Sequence, residues 1–306
     1  MIVSNIIYLS IAYADLPNDT NEIENCKNGK IVKKAISNID SKDDDNNKFH
    51  QSNTKDIESF NHVKEFKSNG VLVNSWGVKG TSKGEFLHPH GIGSDSRGNI
   101  YVSDAVLCNI QKFDNNGNFL LAFGKRGTGP GEFIQPESIA IDKKDNVFVV
   151  DYGTSHVQKF DSNGNFITMW GSKGNGINQF LKPWGIAVDS KGNVYVGDQE
   201  NPIIQKFDNN GNFIKKWGSY GSQAGQFVHI HDVTIDSKDN VYVTDGRDNS
   251  RVEKFDSNGN FITMWGSLGC KNDQFLIPHD ITIDPNGNIY ISDSGNVHFR
   301  SNYECN

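Results

Sequence analysis

Long apolar runs are missing from this chain, and no segment keeps a helical period of apolar residues, which argues against a helical bundle and against a bilayer-spanning helix. The apolar stretch Ile2 to Ile11 is too short to cross a membrane, which takes about 20 residues as a helix. Cysteine is scarce: Cys26, Cys108, Cys270 and Cys305 show neither C-x-x-C nor finger spacing, so they form no zinc or dithiol motif. In an exported chain they allow one or two disulfides, whose pairing the sequence leaves open, and Cys108 is expected in a loop. An excess of positive charge is also absent. The formal net charge is -7 and basic residues are scattered among turns, which excludes nucleic acid as the expected partner, because phosphate neutralisation drives such binding. No G-x-S-x-G, H-E-x-x-H, P-loop or dinucleotide fingerprint occurs. Proline is sparse beside 31 glycines, as in a hairpin-rich protein.

What is present is repetition. KFDSNGNFITMWGS stands at Lys159 and again, letter for letter, at Lys254, with looser copies at Glu65, Lys112 and Lys206. The phenylalanines Phe66, Phe113, Phe160, Phe207 and Phe255 are spaced by 47, 47, 47 and 48 residues. A second family of lines begins at His90, Glu137, Trp184, His231 and His279. Together they give four short β-branched or aromatic runs per repeat, separated by Asp-x-x-Gly-Asn turns in which Asp bonds free amides and Gly or Asn accepts positive φ. Such a unit is one blade of a β-propeller, and the fold class is all-β. Trp76, Phe123, Trp170, Trp217 and Trp265 recur at the end of each fourth run and are read as core wedges, since a binding site should not repeat in every unit. The repeated Asp95, Asp142, Asp189, Asp236 and Asp284 are read as turn caps for the same reason.

The chain enters with the third and fourth runs of a repeat, passes through four whole units, and leaves with the first and second. Pairing both ends in one sheet gives five blades without an exposed edge; the alternative is an incomplete six-bladed ring. A monomer is expected. Around the propeller at 61–300 lie three further segments: a signal-like leader at 1–14 ending in Ala12-Tyr13-Ala14, a polar linker at 15–60 expected to be disordered, and a tail at 301–306. The leader implies a secreted or extracytoplasmic protein. Asn18-Asp19-Thr20 is a glycosylation sequon.

The line GIAVDSKGNVYVGD with IIQKFDNNGNF resembles the NHL repeat, and the resemblance runs from Val63 to Asp293. It implies a propeller, usually of six blades, in a family whose members include RNA-binding proteins, extracellular sensor domains and, in related propellers, lyases and lactonases. Fold therefore leaves function open.

Function is sought where the repeats disagree. The residue opening each innermost run is His90, Glu137, Trp184, His231 or His279, so three imidazoles, a carboxylate and an indole should ring one mouth of the axis. Neutral histidine is a common zinc ligand, which makes His90, His231 and His279 the candidate metal ligands and zinc the candidate cofactor; the competing reading is a solvated polar mouth. PHGI at Pro89, PHDI at Pro278 and IHDV at Ile230 resemble metal-binding stretches of peptidylglycine amidating lyase, a zinc propeller. Tyr152 and Arg247 match the places of its tyrosine and arginine, whereas its order of histidines and its neighbouring cysteines are not reproduced. The expected function is a binding scaffold for a protein, peptide or glycan at the mouth lined by these seven residues, with a metal-dependent lyase or hydrolase as the alternative.

Overall fold

The computed structural model describes residues 61–67 and 71–293, and the backbone of three short strands, Ile6–Ile7, Glu22–Lys27 and Lys30–Ala35. It contains four complete antiparallel blades of four consecutive strands each. The first is built of Pro89–Ser94, Ile100–Asp104, Asn109–Phe113 and Phe119–Phe123. The second blade runs from Pro136 to Trp170, the third from Pro183 to Trp217 and the fourth from Ile230 to Trp265. Two half-blades flank them: Val63–Lys67 with Leu72–Trp76, and Pro278–Ile283 with Ile289–Asp293.

Turn chemistry creates the hairpins. In the turn after the first inner strand, Asp95 Oδ1 accepts the amides of Arg97 and Asn99 at 3.0 and 2.9 Å, and Oδ2 accepts Asn99 Nδ2 at 2.8 Å. The same Asx geometry recurs along the chain, so the repeated aspartates are turn caps as expected. In two turns the left-handed position carries Asp145 or Asp239, both at φ 62, in place of glycine. Each offsets its backbone cost by receiving the backbone amide and hydroxyl of a serine in the neighbouring blade, Ser96 or Ser190, at 2.8–2.9 Å.

The aromatic wedges are core. Trp170 is buried with Phe148 and Phe207, at ring separations of 6.2 and 5.8 Å, and its indole covers Gly211 in the turn of the next blade. A Cβ at Gly211 would lie 2.6 Å from that ring, so this glycine is required for the approach as well as for its φ of +84°. Trp76 meets Gly117 and Trp217 meets Gly259 in the same way.

Two expectations about the chain ends differ from the structure. Among the described residues the two ends do not pair in one sheet: Val63–Lys67 takes the backbone of Ile6–Ile7 on its second edge, and Ile289–Asp293 pairs with its own hairpin partner. Each half-blade is held instead by packing on its neighbour, Val63 and Trp76 against Phe86 and Phe113, and Ile289 and Ile291 against the cluster around Val252 and Ile281. Inside the stretch read as disordered, Glu22–Lys27 and Lys30–Ala35 pair as a hairpin in which Lys27 opposes Lys30. The two residues between them are Asn28 and Gly29, the dipeptide that favours a two-residue hairpin. The rest of the leader and linker, the sequon and the tail lie outside the described residues. Cys270 is disulfide-bonded and Cys108 is a buried free thiol; the side chains of Cys26 and Cys305 lie outside the described residues. Among the described residues no helix is long and apolar enough to cross a membrane.

Candidate functional site

Each inner strand is pinned before it begins. Asp104, which ends a second strand, accepts the amides of Leu87 and His88 at 2.7 and 3.1 Å; Asp151, Asp198, Asp245 and Asp293 do the same in their units. Two residues later the ladder breaks register, between Pro89 and Ile92 in the first blade and at the equivalent place in the other four inner strands. The residue at this bulge is the non-repeating one, and the bulge aims it at the axis. Hydroxyls stitch neighbouring bulges together. Ser103 Oγ accepts Gly91 N at 2.7 Å and donates to the Glu137 carbonyl at 2.5 Å, while Thr244 Oγ1 accepts Asp232 N at 2.9 Å and donates to the His279 carbonyl at 2.7 Å.

All five side chains converge. His90 lies 5.2 Å from Trp184 and 6.3 Å from His279 between ring centroids, Trp184 lies 5.9 Å from His279, and His231 lies 4.4 Å from His279. Glu137 Oε2 sits 2.8 Å from His90 Nδ1, and its Oε1 accepts Gln135 Nε2 at 2.7 Å. Relative exposures of 6, 1, 7, 7 and 4 % for His90, Glu137, Trp184, His231 and His279 make the ring a plug in the mouth, where the sequence suggested a solvated rim. Tyr152 packs edge-on against Trp184 at 5.4 Å, under Lys182, which pairs with Glu200 at 3.2 Å. Arg247 is exposed at the rim, in the left-handed region at φ 55. Gly246 is what admits His231: a Cβ there would fall 2.4 Å from the imidazole.

Electrostatics splits the histidines. Burial opposes a charge on His90, but the Glu137 carboxylate outweighs it, with Asp280 and Asp232 adding, and the pKa is raised to about 9. Burial, followed by the charges of His279, His229, Arg247 and His90, holds His231 well below the ordinary histidine range. His229, 4.6 Å from His231, is lowered to about 3, chiefly by burial and then by Arg247. Neither ring nitrogen of His231 has a hydrogen-bond partner, nor do His90 Nε2 and Trp184 Nε1, although all are buried. Unpaired buried polar atoms are costly, and in a native fold they mark places where something else supplies the bond.

A catalytic zinc needs about three protein ligands, with nitrogens near 2.0–2.1 Å from one point. Among the described residues no group of three or more His, Cys, Asp or Glu side chains is placed to hold a metal ion. His90 is committed to Glu137 and His279 Nδ1 to Asp280 at 3.1 Å, while the Trp184 indole occupies the same ring. As placed, the three imidazoles do not form the zinc set.

Sequence reasoning passed over Asp232 and Asp280. They follow the ring residue in two adjacent inner strands, where the other three carry Gly91, Ser138 and Gly185, so the same search for disagreement one position further along finds them. Asp232 Oδ2 accepts Ile281 N at 3.1 Å, and burial together with the Asp280 charge pushes its carboxyl well above the usual range. Both line an axial cavity of about 410 Å³ bounded by all five inner strands.

A model described as a 6-bladed beta-propeller matches residues 81–161, and the NHL repeat model matches 180–207, 227–255 and 275–298. No curated protein matches in sequence. Among solved structures, virginiamycin B lyase from Staphylococcus aureus is similar at 13% identity and TM-score 0.54, covering 76% of this chain and 70% of that one. A gluconolactonase from Xanthomonas campestris is similar at 14% identity and TM-score 0.55, covering 77% of each chain. A nidogen/laminin complex gives 18% identity and TM-score 0.55, with coverage of 76% and 82%. At these identities the likeness is one of fold.

Proposed function

We propose, from the premise that the chain is an NHL-repeat β-propeller, that it is an exported binding scaffold whose ligand, a protein, peptide or glycan, docks on the loops around the plugged mouth. The observation that carries this is convergence. At one register of an otherwise repetitive chain five buried side chains meet, three imidazoles, a carboxylate and an indole, beneath a rim that offers Tyr152 and the exposed Arg247. Aromatic and arginine side chains are the usual anchors of protein interfaces. The nidogen/laminin complex shows that the fold occurs in a protein assembly. Arrays of peptides and glycans probed with the full chain and with its Tyr152→Ala and Arg247→Ala variants test the reading. A ligand weakened about tenfold or more in both variants, with unchanged thermal stability, is the expected result. Ligands that bind both variants as well as the parent overturn it.

A zinc-dependent lyase or hydrolase is the second reading, favoured by the His231–His279 approach of 4.4 Å and by the fold likeness to a lyase and a lactonase. Bringing His90 onto that pair would break its contact with Glu137. Stoichiometric zinc in purified protein, lost on His231→Ala, would establish this reading; metal-free protein favours the scaffold.

A further inference from the structure

The last hairpin is a blade half built. In the four complete blades the first three residues of the second strand are at most 6 % exposed, whereas Ile289, Tyr290 and Ile291 are half-buried and Asp293 is exposed. Phe275 is half-buried too, although its equivalents Phe86, Phe133, Phe180 and Phe227 are fully buried. Among the described residues no third strand lies on the outer edge of Ile289–Asp293.

The other blades show what covers such an edge. In each, an antiparallel third strand reads Ile or Val, Gln or Glu, Lys, Phe. Its phenylalanine packs 5.7–6.0 Å from the loop phenylalanine. In the first, third and fourth blades its lysine lies 4.7–4.8 Å from the ring centroid of a second-strand tyrosine and 3.3–3.6 Å from the turn aspartate that the same tyrosine meets. In the first three its glutamine accepts a loop amide and donates to the next carbonyl. The last hairpin repeats every receiving group: Phe275 for the phenylalanine, Tyr290 bonded to Asp284 at 3.4 Å for the lysine, and the loop backbone of Asp273 and Gln274 for the glutamine. Asp273 in the loop, Asp284 in the turn and Asp293 at the strand end add negative charge that complements the lysine.

Val63–Lys67 of the same chain matches in strand order and in Val63 and Phe66, but Lys64 stands where glutamine must accept an amide, and Glu65 would bring a carboxylate to Asp284. The four strands that do carry the pattern are already built into blades. We propose that the edge of Ile289–Asp293 receives an extended segment of a partner protein that reads Val or Ile, Gln, Lys, Phe and extends the fifth blade by strand addition. Its lysine lies over Tyr290 and pairs with Asp284, its glutamine bonds the backbone of Asp273 and Gln274, and its phenylalanine covers Phe275. This surface is independent of what the rim binds.

A fluorescent peptide with the sequence of residues 203–217, IIQKFDNNGNFIKKW, is the probe, titrated into the full chain and followed by anisotropy and by amide hydrogen exchange. Binding should saturate and slow exchange at the outward amides of Ile289–Asp293, with Val241–Asp245 unchanged. Peptides carrying Gln205→Lys or Lys206→Glu, which copy Lys64 and Glu65, should bind about tenfold or more weakly. No saturation by about 1 mM, equal binding of both altered peptides, or binding that leaves exchange at Ile289–Asp293 as it was overturns the proposal. Protection of those amides before any peptide is added overturns it as well: in a monomer the chain's own residues fill the edge, and in a dimer a second copy does.

Discussion

His90 and His231 occupy one repeat position, yet burial acts on them with opposite results because only His90 has a carboxylate against its ring. A folded pKa of about 9 against an ordinary 6.5 means that His90 adds stability fully present below pH 6.5, on the order of 3 kcal/mol, which disappears as pH rises through 9. His231 works in the other direction: held neutral in the fold, it costs stability as pH falls below the ordinary value and the unfolded chain takes up the proton. The melting temperature should therefore peak near neutrality and fall towards pH 9.5, and His90→Asn should flatten the alkaline limb. A parent protein whose melting temperature is level from pH 6.5 to 9.5 would contradict this. For the wedge, Trp170→Ala removes a buried indole from between Phe148, Phe207 and Gly211 and should cost about 3–5 kcal/mol in denaturant unfolding. A loss under about 1 kcal/mol would mean that the ring is not core.

Within the blades, one element departs from its siblings and shows how the repeat tolerates change. In the first three blades a third-strand glutamine, Gln111, Gln158 or Gln205, accepts a loop amide and donates to the next carbonyl, that of Glu85, Glu132 or Gln179. In the fourth blade the residue is Glu253, which accepts Gly225 N at 2.8 Å but has no amide to donate. Arg251, two residues earlier, supplies the missing donor to the Gln226 carbonyl at 2.7 Å and pairs with Glu253 at 2.6 Å. Arg251→Ile alone leaves a fully buried carboxylate unpaired and should cost about 3–5 kcal/mol. Adding Glu253→Gln, which copies Ile203 and Gln205 of the third blade, should return stability to within about 1 kcal/mol of the parent. Additive losses in the double mutant would show that the two residues act independently.

At the scale of the whole molecule the ring is made of packing contacts between blades, and the seam is where sheet pairing stops. Among the described residues Ile289–Asp293 has a strand partner on one edge, whereas Val241–Asp245, its counterpart in the fourth blade, is paired on both. Amide hydrogen exchange should be slow throughout Val241–Asp245 and fast at the alternate amides of Ile289–Asp293 that face away from their partner. Uniform protection of both strands would mean that the chain ends close in a single sheet after all. Deleting residues 61–76 removes Val63 and Trp76 from the cluster that covers Phe86 and Phe113, so exposure of that apolar face and aggregation are expected. A deletion variant that stays monodisperse would show that this half-blade is dispensable.

The sequence by itself determined the blades, because period, turn chemistry and apolar alternation are local: Asp95 caps its turn with amides two and four residues away, and no distant contact is needed to place it. It also singled out the ring position, since a register that disagrees in a repetitive chain is visible without coordinates. Tertiary structure alone decided how that register behaves. That His90 meets Glu137 from the next blade and that Asp232 and Asp280 face one cavity depend on rotation from blade to blade, which brings together residues some 47 positions apart, whereas the room that Gly246 makes for His231 is set inside the fourth blade by its own hairpin. Closure depended on the same thing. The half repeats at the two ends are complementary in sequence, but whether their edges meet is set by how the intervening blades accumulate twist and packing, a sum over the whole ring that no single segment records.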